Sequence, residues 1–323
     1  MRTLNTNDYK MFEHLVSLKQ PALFKTMEAF LRRRYDTVVA TKEFLYAVGD
    51  IPVALVAHLD TVFTIPPKTI YFDQRKNVLW SPEGLGADDR AGVFAIIKII
   101  RAGLKPHIIF TTDEEVGALG ATALIEQSPQ PFAEMKYIIQ LDRRGDCDCV
   151  FYDCDNADFV KYVEQFGFIE NYGSFSDISE ICPAWKIAGV NLSVGYQDEH
   201  SVAETLHISP FLATVEKVIK MLEAVEEAPT FVYIPNPYAL HWNALQKHAW
   251  DNDGWFRCNK CKTPFTEYEL FPVKCLDGKT HFYCPDCVVG NVHWCTICGN
   301  AFEPIDEKEL ICKDCQKGEQ VRV

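Results

Sequence analysis

The sequence lacks several features that would assign it to common protein classes. No apolar run reaches the length of about 18 residues that a membrane-spanning helix requires. The first ten residues, MRTLNTNDYK, lack the basic segment and following apolar segment of a signal peptide. We therefore expect a cytoplasmic protein with no membrane partner.

Positive charge is also scarce. The chain has 32 Lys and Arg against 45 Asp and Glu, which gives a net charge of -13. Nucleic acids and acidic membranes repel such a surface, so the composition argues against both as partners. Hydrophobic residues make up 48% and charged residues 24% of the chain, as in ordinary soluble proteins. A length of 323 residues allows one large domain and a small one.

Cysteine is concentrated near the C-terminus. Nine of the 13 cysteines fall between Cys258 and Cys315, in a chain without a visible export signal. Such clustering in CxxC pairs favours metal binding over disulfides. The natural pairing gives two tetrahedral thiolate sites for structural zinc, formed by Cys258, Cys261, Cys284 and Cys287 and by Cys295, Cys298, Cys312 and Cys315. The spacing leaves open a LIM-like site that uses His281, with Cys275 as a spare.

This tail resembles zinc ribbons and LIM or RING modules in its spacing alone. Because it has few aliphatic residues, a segment of about 65 residues needs metal staples to fold. Its role stays open: it could bind a protein partner, gate an active site or mediate assembly.

The first part of the chain predicts an α/β domain. Strand-like segments such as PVALVAHLD, KPHIIFTTDEE and MKYIIQLD alternate with helical ones such as AGVFAIIKIIRAG and PFLATVEKVIKMLEAVEEA. We expect a mixed, mostly parallel sheet flanked by helices over residues 1–235. A proline-rich linker over 236–255 and a small zinc-stapled domain over 256–323 are predicted to follow.

Acidic residues and histidines recur at the ends of the predicted strands. The motifs are His58-Leu59-Asp60, Asp88-Asp89, Glu114-Glu115, Asp142 and His200. In α/β sheets, ligands bind beyond the carboxyl ends of the strands, so these side chains are expected to meet. Two histidines and several carboxylates are the donors that two zinc ions sharing a bridging carboxylate need.

Each motif also has a plainer interpretation. His58 could be a buried structural histidine with a capping aspartate, and Asp88 or Asp89 could be a helix N-cap. The adjacent carboxylates of Glu114 and Glu115 suit a cation, with one as ligand and the other as proton acceptor, but an acidic turn would look the same. The sequence leaves His207 as a rival ligand to His200.

Taken together, the motifs resemble those of the co-catalytic zinc exopeptidases, above all the peptidase T-like tripeptidases and related aminopeptidases. The resemblance rests on AHLDTV, GLGADDRAG, FTTDEEVGALGA, QLDRRG and GYQDEHSVAE, within roughly residues 50–225. It implies one zinc held by His58, Asp88 and Asp142. It implies a second held by Asp88, Glu115 and His200. Glu114 would then be the general base, and Asp60 would orient His58.

The resemblance also implies an activity. An aspartate at position 142, rather than glutamate, goes with aminopeptidase or dipeptidase action in that group, so release of N-terminal residues from short peptides is expected. Cobalt or manganese could replace zinc in a carboxylate-rich site. One departure is that only 57 residues separate Asp142 from His200, too few for the lid domain of the peptidase T-like enzymes.

Two further points stay open. Asp177 could meet a substrate ammonium and Arg143 or Arg144 a carboxylate, although an ordinary polar loop would contain the same residues. The alternatives to a peptidase are a deacylase of N-acyl amino acids and an inactive adaptor that works through the zinc tail.

Overall fold

In a computed structural model of the protein, the described residues are 3–128, 130–173, 175–236, 256–265, 270–289, 291–297, 300–306 and 308–316. The chain divides into two compact units, Met1–Pro235 and Asn236–Val323. Of the predicted linker, only residue 236 is among the described residues. Within the described ranges, every helix is too short or too polar to cross a bilayer.

The first unit alternates helices and strands. Its helices are α1 Thr6–Ser17, α2 Gln20–Arg32, α3 Ala87–Arg101, α4 Leu119–Gln127, α5 Ala157–Glu164, α6 Asp177–Trp185 and α7 Ile208–Glu223. Its strands are β1 Thr37–Ala40, β2 Phe44–Val48, β3 Ile51–His58, β4 Tyr71–Asp73, β5 Val78–Trp80, β6 Pro106–Thr111, β7 Tyr137–Arg143, β8 Asp148–Val150, β9 Ile169–Glu170, β10 Gly189–Ser193, β11 Tyr196–Gln197 and β12 Thr205–His207.

Eight strands form the main sheet, in the order β1-β2-β6-β3-β7-β10-β8-β9. The central strands β6, β3, β7 and β10 run parallel to one another. Antiparallel pairing enters through β1 with β2, β2 with β6 and β8 with β10. This mixed, mostly parallel sheet flanked by helices confirms the fold class predicted from the sequence.

The centre of the sheet is apolar because its strands are covered on both faces. Every residue of β6 is buried, as is β3 from Val53 onwards. Helix α3 is buried along nearly its whole length, and Phe94 stacks on Phe211 of α7 at a ring distance of 4.9 Å. Near-continuous apolar strands are typical of parallel sheets buried on both sides.

A second, four-stranded sheet has the order β11-β12-β5-β4. It joins the segment before α3 to the segment that carries His200, because β12 pairs with β5 from Thr205 to His207. This sheet has no counterpart among the elements predicted from the sequence, since its strands are only two or three residues long.

The second unit contains β13 Phe256–Arg257, β14 Pro264–Phe265, β15 Phe271–Lys274, β16 Thr280–Tyr283, β17 His293–Trp294 and β18 Ala301–Phe302. It also has two short helices, α8 Pro285–Val288 and α9 Lys313–Gln316. Strands β16-β15-β18-β17 form one sheet, and β13 pairs with β14. Buried Cys258 and Cys284 pack with Val273 in its core.

Candidate functional site

Three neighbouring strands bring the first motifs to one edge of the main sheet. His58 is the last residue of β3 and lies opposite Thr111, the last residue of β6. Glu114 and Glu115 follow β6, while Asp142 lies near the end of β7 on the other side of β3. Parallel neighbours end at the same edge, so residues far apart in sequence meet there.

One group of possible metal ligands consists of His58, Asp88 and Asp142, whose donor atoms all lie within 4.8 Å of one another. His58 Nε2 is 3.1 Å from Asp88 Oδ1 and 3.6 Å from Asp142 Oδ1. His58 is 1% exposed, and its Nδ1 faces Asp60, so only Nε2 is directed at this group.

A second group consists of Asp88, Glu115 and His200. His200 Nε2 lies 3.2 Å from Asp88 Oδ2 and 2.9 Å from Glu115 Oε2. Asp88 therefore turns one carboxylate oxygen towards each group, which is the arrangement of a bridging ligand. His207 belongs to neither group.

Asp60 lies behind His58, where it holds the ring. Its Oδ1 is 3.2 Å from His58 Nδ1, and its Oδ2 accepts a hydrogen bond of 3.0 Å from the backbone N–H of Glu115. A carboxylate in this position fixes the tautomer and the direction of a ligating imidazole. It also ties the ends of β3 and β6 together.

The start of α3 separates the roles of the two aspartates. Asp88 and Asp89 have non-helical backbone angles, and the peptide bond between them is cis. Asp89 Oδ1 accepts from Gly92 N at 2.9 Å, as an N-cap does, and its Oδ2 accepts from His58 N at 3.3 Å. The capping role thus falls to Asp89, which leaves Asp88 free to face the histidines.

Asp142 is surrounded by hydrogen-bond donors. Its Oδ2 accepts from Gln140 Nε2 at 3.0 Å and from Ser176 Oγ at 3.1 Å, while its Oδ1 accepts from Tyr196 O–H at 3.1 Å. Asn191 Oδ1 accepts from the Asp142 backbone N–H at 2.9 Å. These contacts fix the direction in which the carboxylate points.

The cluster holds more negative charge than its histidines balance. Burial raises the pKa of Glu114 to about 9 and that of Glu115 to about 7, and neighbouring carboxylates add to both shifts. Burial, with Asp88 nearby, raises the pKa of Asp142 to about 6. Burial disfavours the charged form of Asp88 too, but its contacts with His200 and His58 bring its pKa below the usual range. Crowded buried carboxylates of this kind are stabilised by cations.

The donor set fits two zinc ions. Each group offers one imidazole and two carboxylates, leaving a position for water or substrate, as catalytic zinc sites do. Glu115 Oε1 is buried and has no hydrogen-bond partner among the described residues, so it too is available to a cation.

The predicted substrate-binding residues have other contacts in the structure. Asp177 is fully buried, and its Oδ2 accepts a hydrogen bond of 2.5 Å from Thr111 Oγ1. Arg143 donates to the carbonyl oxygen of Tyr172 at 2.8 Å. Arg144, which is exposed, forms an ion pair of 2.8 Å with Glu199.

Two buried charged residues that the sequence analysis missed also belong to the site. Arg90, 2% exposed, donates from Nη1 to the carbonyl oxygens of Leu59 and Asp60 at 2.5 and 2.9 Å. Glu204, 0% exposed, accepts hydrogen bonds from the backbone N–H groups of Gly86, Ala87 and Asp88. In the sequence, Arg90 is marked only as a charge inside an apolar helix, and Glu204 only as an acidic residue four positions after His200.

In the second unit, Cys258, Cys261, Cys284 and Cys287 have sulfur atoms within 4.8 Å of one another. Cys295, Cys312 and Cys315 form a second group, whereas Cys298 lies outside the described residues. Two residues considered as alternatives are in neither group. His281 Nε2 is 2.8 Å from Asp277, and Cys275 Sγ is 3.4 Å from Tyr283 O–H.

Comparison with known proteins gives a family match and a set of similar structures. Residues 41–154 match the model of peptidase family M28. The structure of aminopeptidase PepT from Bacillus cereus ATCC 10987 is 15% identical with a TM-score of 0.57, over 68% of this chain and 98% of that one. A tripeptidase from Staphylococcus aureus subsp. aureus Mu50 is 14% identical with a TM-score of 0.56, over 70% and 100%.

A TET aminopeptidase from a marine sediment Thaumarchaeota archaeon is 13% identical with a TM-score of 0.55, over 68% of this chain and 99% of that one. At these identities the similarity shows a shared fold. A comparison with curated proteins found no match. The family match, which spans His58, Asp88, Glu115 and Asp142, supports a metallo-exopeptidase that hydrolyses peptide bonds.

Proposed function

We propose that the protein is a metal-dependent aminopeptidase that removes N-terminal residues from short peptides. The observation that carries the proposal is the pair of ligand groups that share Asp88, with one of its oxygens directed to each group. Five separate segments of the chain contribute ligands to this cluster. A buried structural histidine or an acidic turn would not require five segments to meet.

In this proposal His58, Asp88 and Asp142 hold one zinc, and Asp88, Glu115 and His200 hold the other. When bound, zinc lowers the pKa of water and polarises a carbonyl group. The same donor atoms would also bind cobalt or manganese. Asp60 keeps the ring of His58 directed at the first position through its contact with Nδ1.

Glu114 is the proposed proton carrier. It follows β6 directly beside the ligand Glu115, and it is partly buried. Its pKa is high in the chain alone because burial and the neighbouring carboxylates disfavour its charged form. Once cations balance those carboxylates, the Glu114 carboxylate can take a proton from the attacking water and return it to the leaving amine.

The tail is proposed to hold two structural zinc ions. Four thiolates of the first cysteine group complete one tetrahedral site, and Cys295, Cys312 and Cys315 with Cys298 would complete the other. Closed thiolate sites keep no position for substrate, so their role is to stabilise the unit. A protein partner that binds this unit is part of the same proposal.

A digest of a peptide library by the metal-loaded full-length chain tests the function, with products read by mass spectrometry. Loss of single residues from free N-termini is the expected pattern. N-acetylated copies of the same peptides distinguish an aminopeptidase from a deacylase, because only a deacylase would release the acyl group. If no peptide is cut while about four zinc ions are bound per chain, the protein is an adaptor and the proposal fails.

A further inference from the structure

Glu204 is a buried carboxylate outside both ligand groups. Its two oxygens accept hydrogen bonds from three consecutive backbone N–H groups: Gly86 at 2.5 Å, Ala87 at 3.1 Å and Asp88 at 3.0 Å. When Glu204 is ionised these are charge-assisted hydrogen bonds, which are about twice as strong as neutral ones. One side chain therefore fixes the whole backbone approach to Asp88.

Glu204 also belongs to the segment that carries His200. Its own N–H donates to Ser201 O at 3.1 Å, and Ser201 Oγ donates to Asp198 O at 2.8 Å, so residues 198–204 form a compact turn. His200 has a left-handed φ of 62° within it and is 53% exposed at its side chain. Such an exposed ligand depends on its backbone for its position.

The two ligand groups differ in how they are tied together. In the first, His58 and Asp88 are also linked through Asp89, whose Oδ2 accepts from the His58 backbone N–H. In the second, Asp88 and His200 are 112 positions apart. The side chain of Glu204, four positions after His200, links the His200 segment to the backbone of the loop at Gly86–Asp88.

We infer that Glu204 is a positioning residue that holds His200 opposite Asp88 and thereby sets the metal affinity of the second ligand group. The inference rests on the proposed function, because it assumes that both groups bind metal. Glu204 itself belongs to neither ligand group. Losing a residue that orients a ligand typically costs 10- to 100-fold in metal affinity.

The experiment uses the full-length chain and Mn²⁺, which carboxylate and imidazole sites accept more readily than thiolate sites do. The catalytic cluster is first stripped by dialysis against a chelator. Mn²⁺ is then titrated, with free ion measured by electron paramagnetic resonance, into the wild type, Glu204→Gln, Glu204→Asp and the exposed control Glu223→Gln. The melting temperature of each stripped protein is measured before Mn²⁺ is added.

The wild type and Glu223→Gln should bind two Mn²⁺ ions. Glu204→Gln should weaken one of the two binding steps about 10- to 100-fold and the other step much less. Glu204→Asp, which keeps the charge, should lie between them. A role confined to stability would instead lower the melting temperature and weaken both steps alike, which would overturn the inference.

Equal Mn²⁺ affinities in the wild type and both Glu204 variants would also overturn it, with the proposed function left standing. If Glu204→Gln does not fold, Glu204→Asp decides by the same comparison. Absence of Mn²⁺ binding by the wild type would instead refute the proposed function, and the inference with it.

Discussion

Replacing Glu114 by Gln separates proton transfer from metal binding. The amide has nearly the shape of a protonated carboxyl, and the chain alone already favours the neutral form of Glu114, whose pKa is raised to about 9. The variant should therefore fold as well as the wild type. Because Glu114 belongs to neither ligand group, it should also keep both metals.

The expected loss is in turnover. Proton transfer by a positioned side chain contributes about 10²- to 10⁴-fold to rate. At about 1.4 kcal/mol for each factor of ten, that corresponds to about 3–5 kcal/mol in the activation barrier. No compensation is expected from Glu115, since its Oε2 already lies 2.9 Å from His200 and is assigned to a metal.

The assay compares kcat on the best peptide from the library digest with metal content measured by mass spectrometry. Glu126→Gln, the same change at an exposed position on α4, is the matched control and should behave as the wild type does. Wild-type turnover by a metal-loaded Glu114→Gln protein would refute the assignment of Glu114 as the base. Loss of metal from that variant would show instead that Glu114 is a ligand.

Three further changes test other parts of the site. His200→Ala should lower the metal content, measured by atomic emission, by about one ion per chain, because a catalytic site has few protein ligands and the loss of one weakens it strongly. An unchanged metal content would show that another residue is the ligand. Gly92→Ala should destabilise the chain by about 1–3 kcal/mol in denaturant unfolding, because its Cβ would overlap the Leu141 carbonyl and the Asp89 carboxylate; wild-type stability would mean that α3 shifts freely. A thiol-directed mercurial should release about two zinc ions from the second unit of the wild type and fewer from that of Cys258→Ala, as measured with a chromogenic chelator. Equal release from the two proteins would exclude Cys258 as a ligand.

Local patterns were enough to predict the elements that position the cluster. Apolar runs marked β3, β6 and β7, and the helical spacing marked α3, because those segments lie in the core, where burial dictates residue type. The rule that ligands gather at the carboxyl ends of parallel strands then brings His58 and Asp142 together before any coordinates are known.

Contacts made by tertiary structure could not be derived in the same way. Glu204 meets Gly86 from 118 positions away, through a small sheet whose strands are too short to show a period. Arg90 looks like one basic residue in an apolar helix until its guanidinium is seen to hold the carbonyls beyond β3. Between Asp88 and Asp89, only the geometry shows which one caps the helix.

The segment between Asp142 and His200 bears on what the site can select. In its described residues it forms β8, β9 and β10 of the main sheet, β11 of the small one, and helices α5 and α6. The chain therefore uses these residues to extend the core rather than to build the lid expected of a peptidase T-like enzyme. If the chain is an aminopeptidase, as proposed, we expect loops at the strand edge to recognise the substrate ends. One such loop is held by the ion pair of Arg144 with Glu199. Because the described residues of this segment form no lid that could measure peptide length, we expect cleavage to fall off gradually as peptides grow longer. A sharp cut-off at three residues in the library digest would contradict this argument.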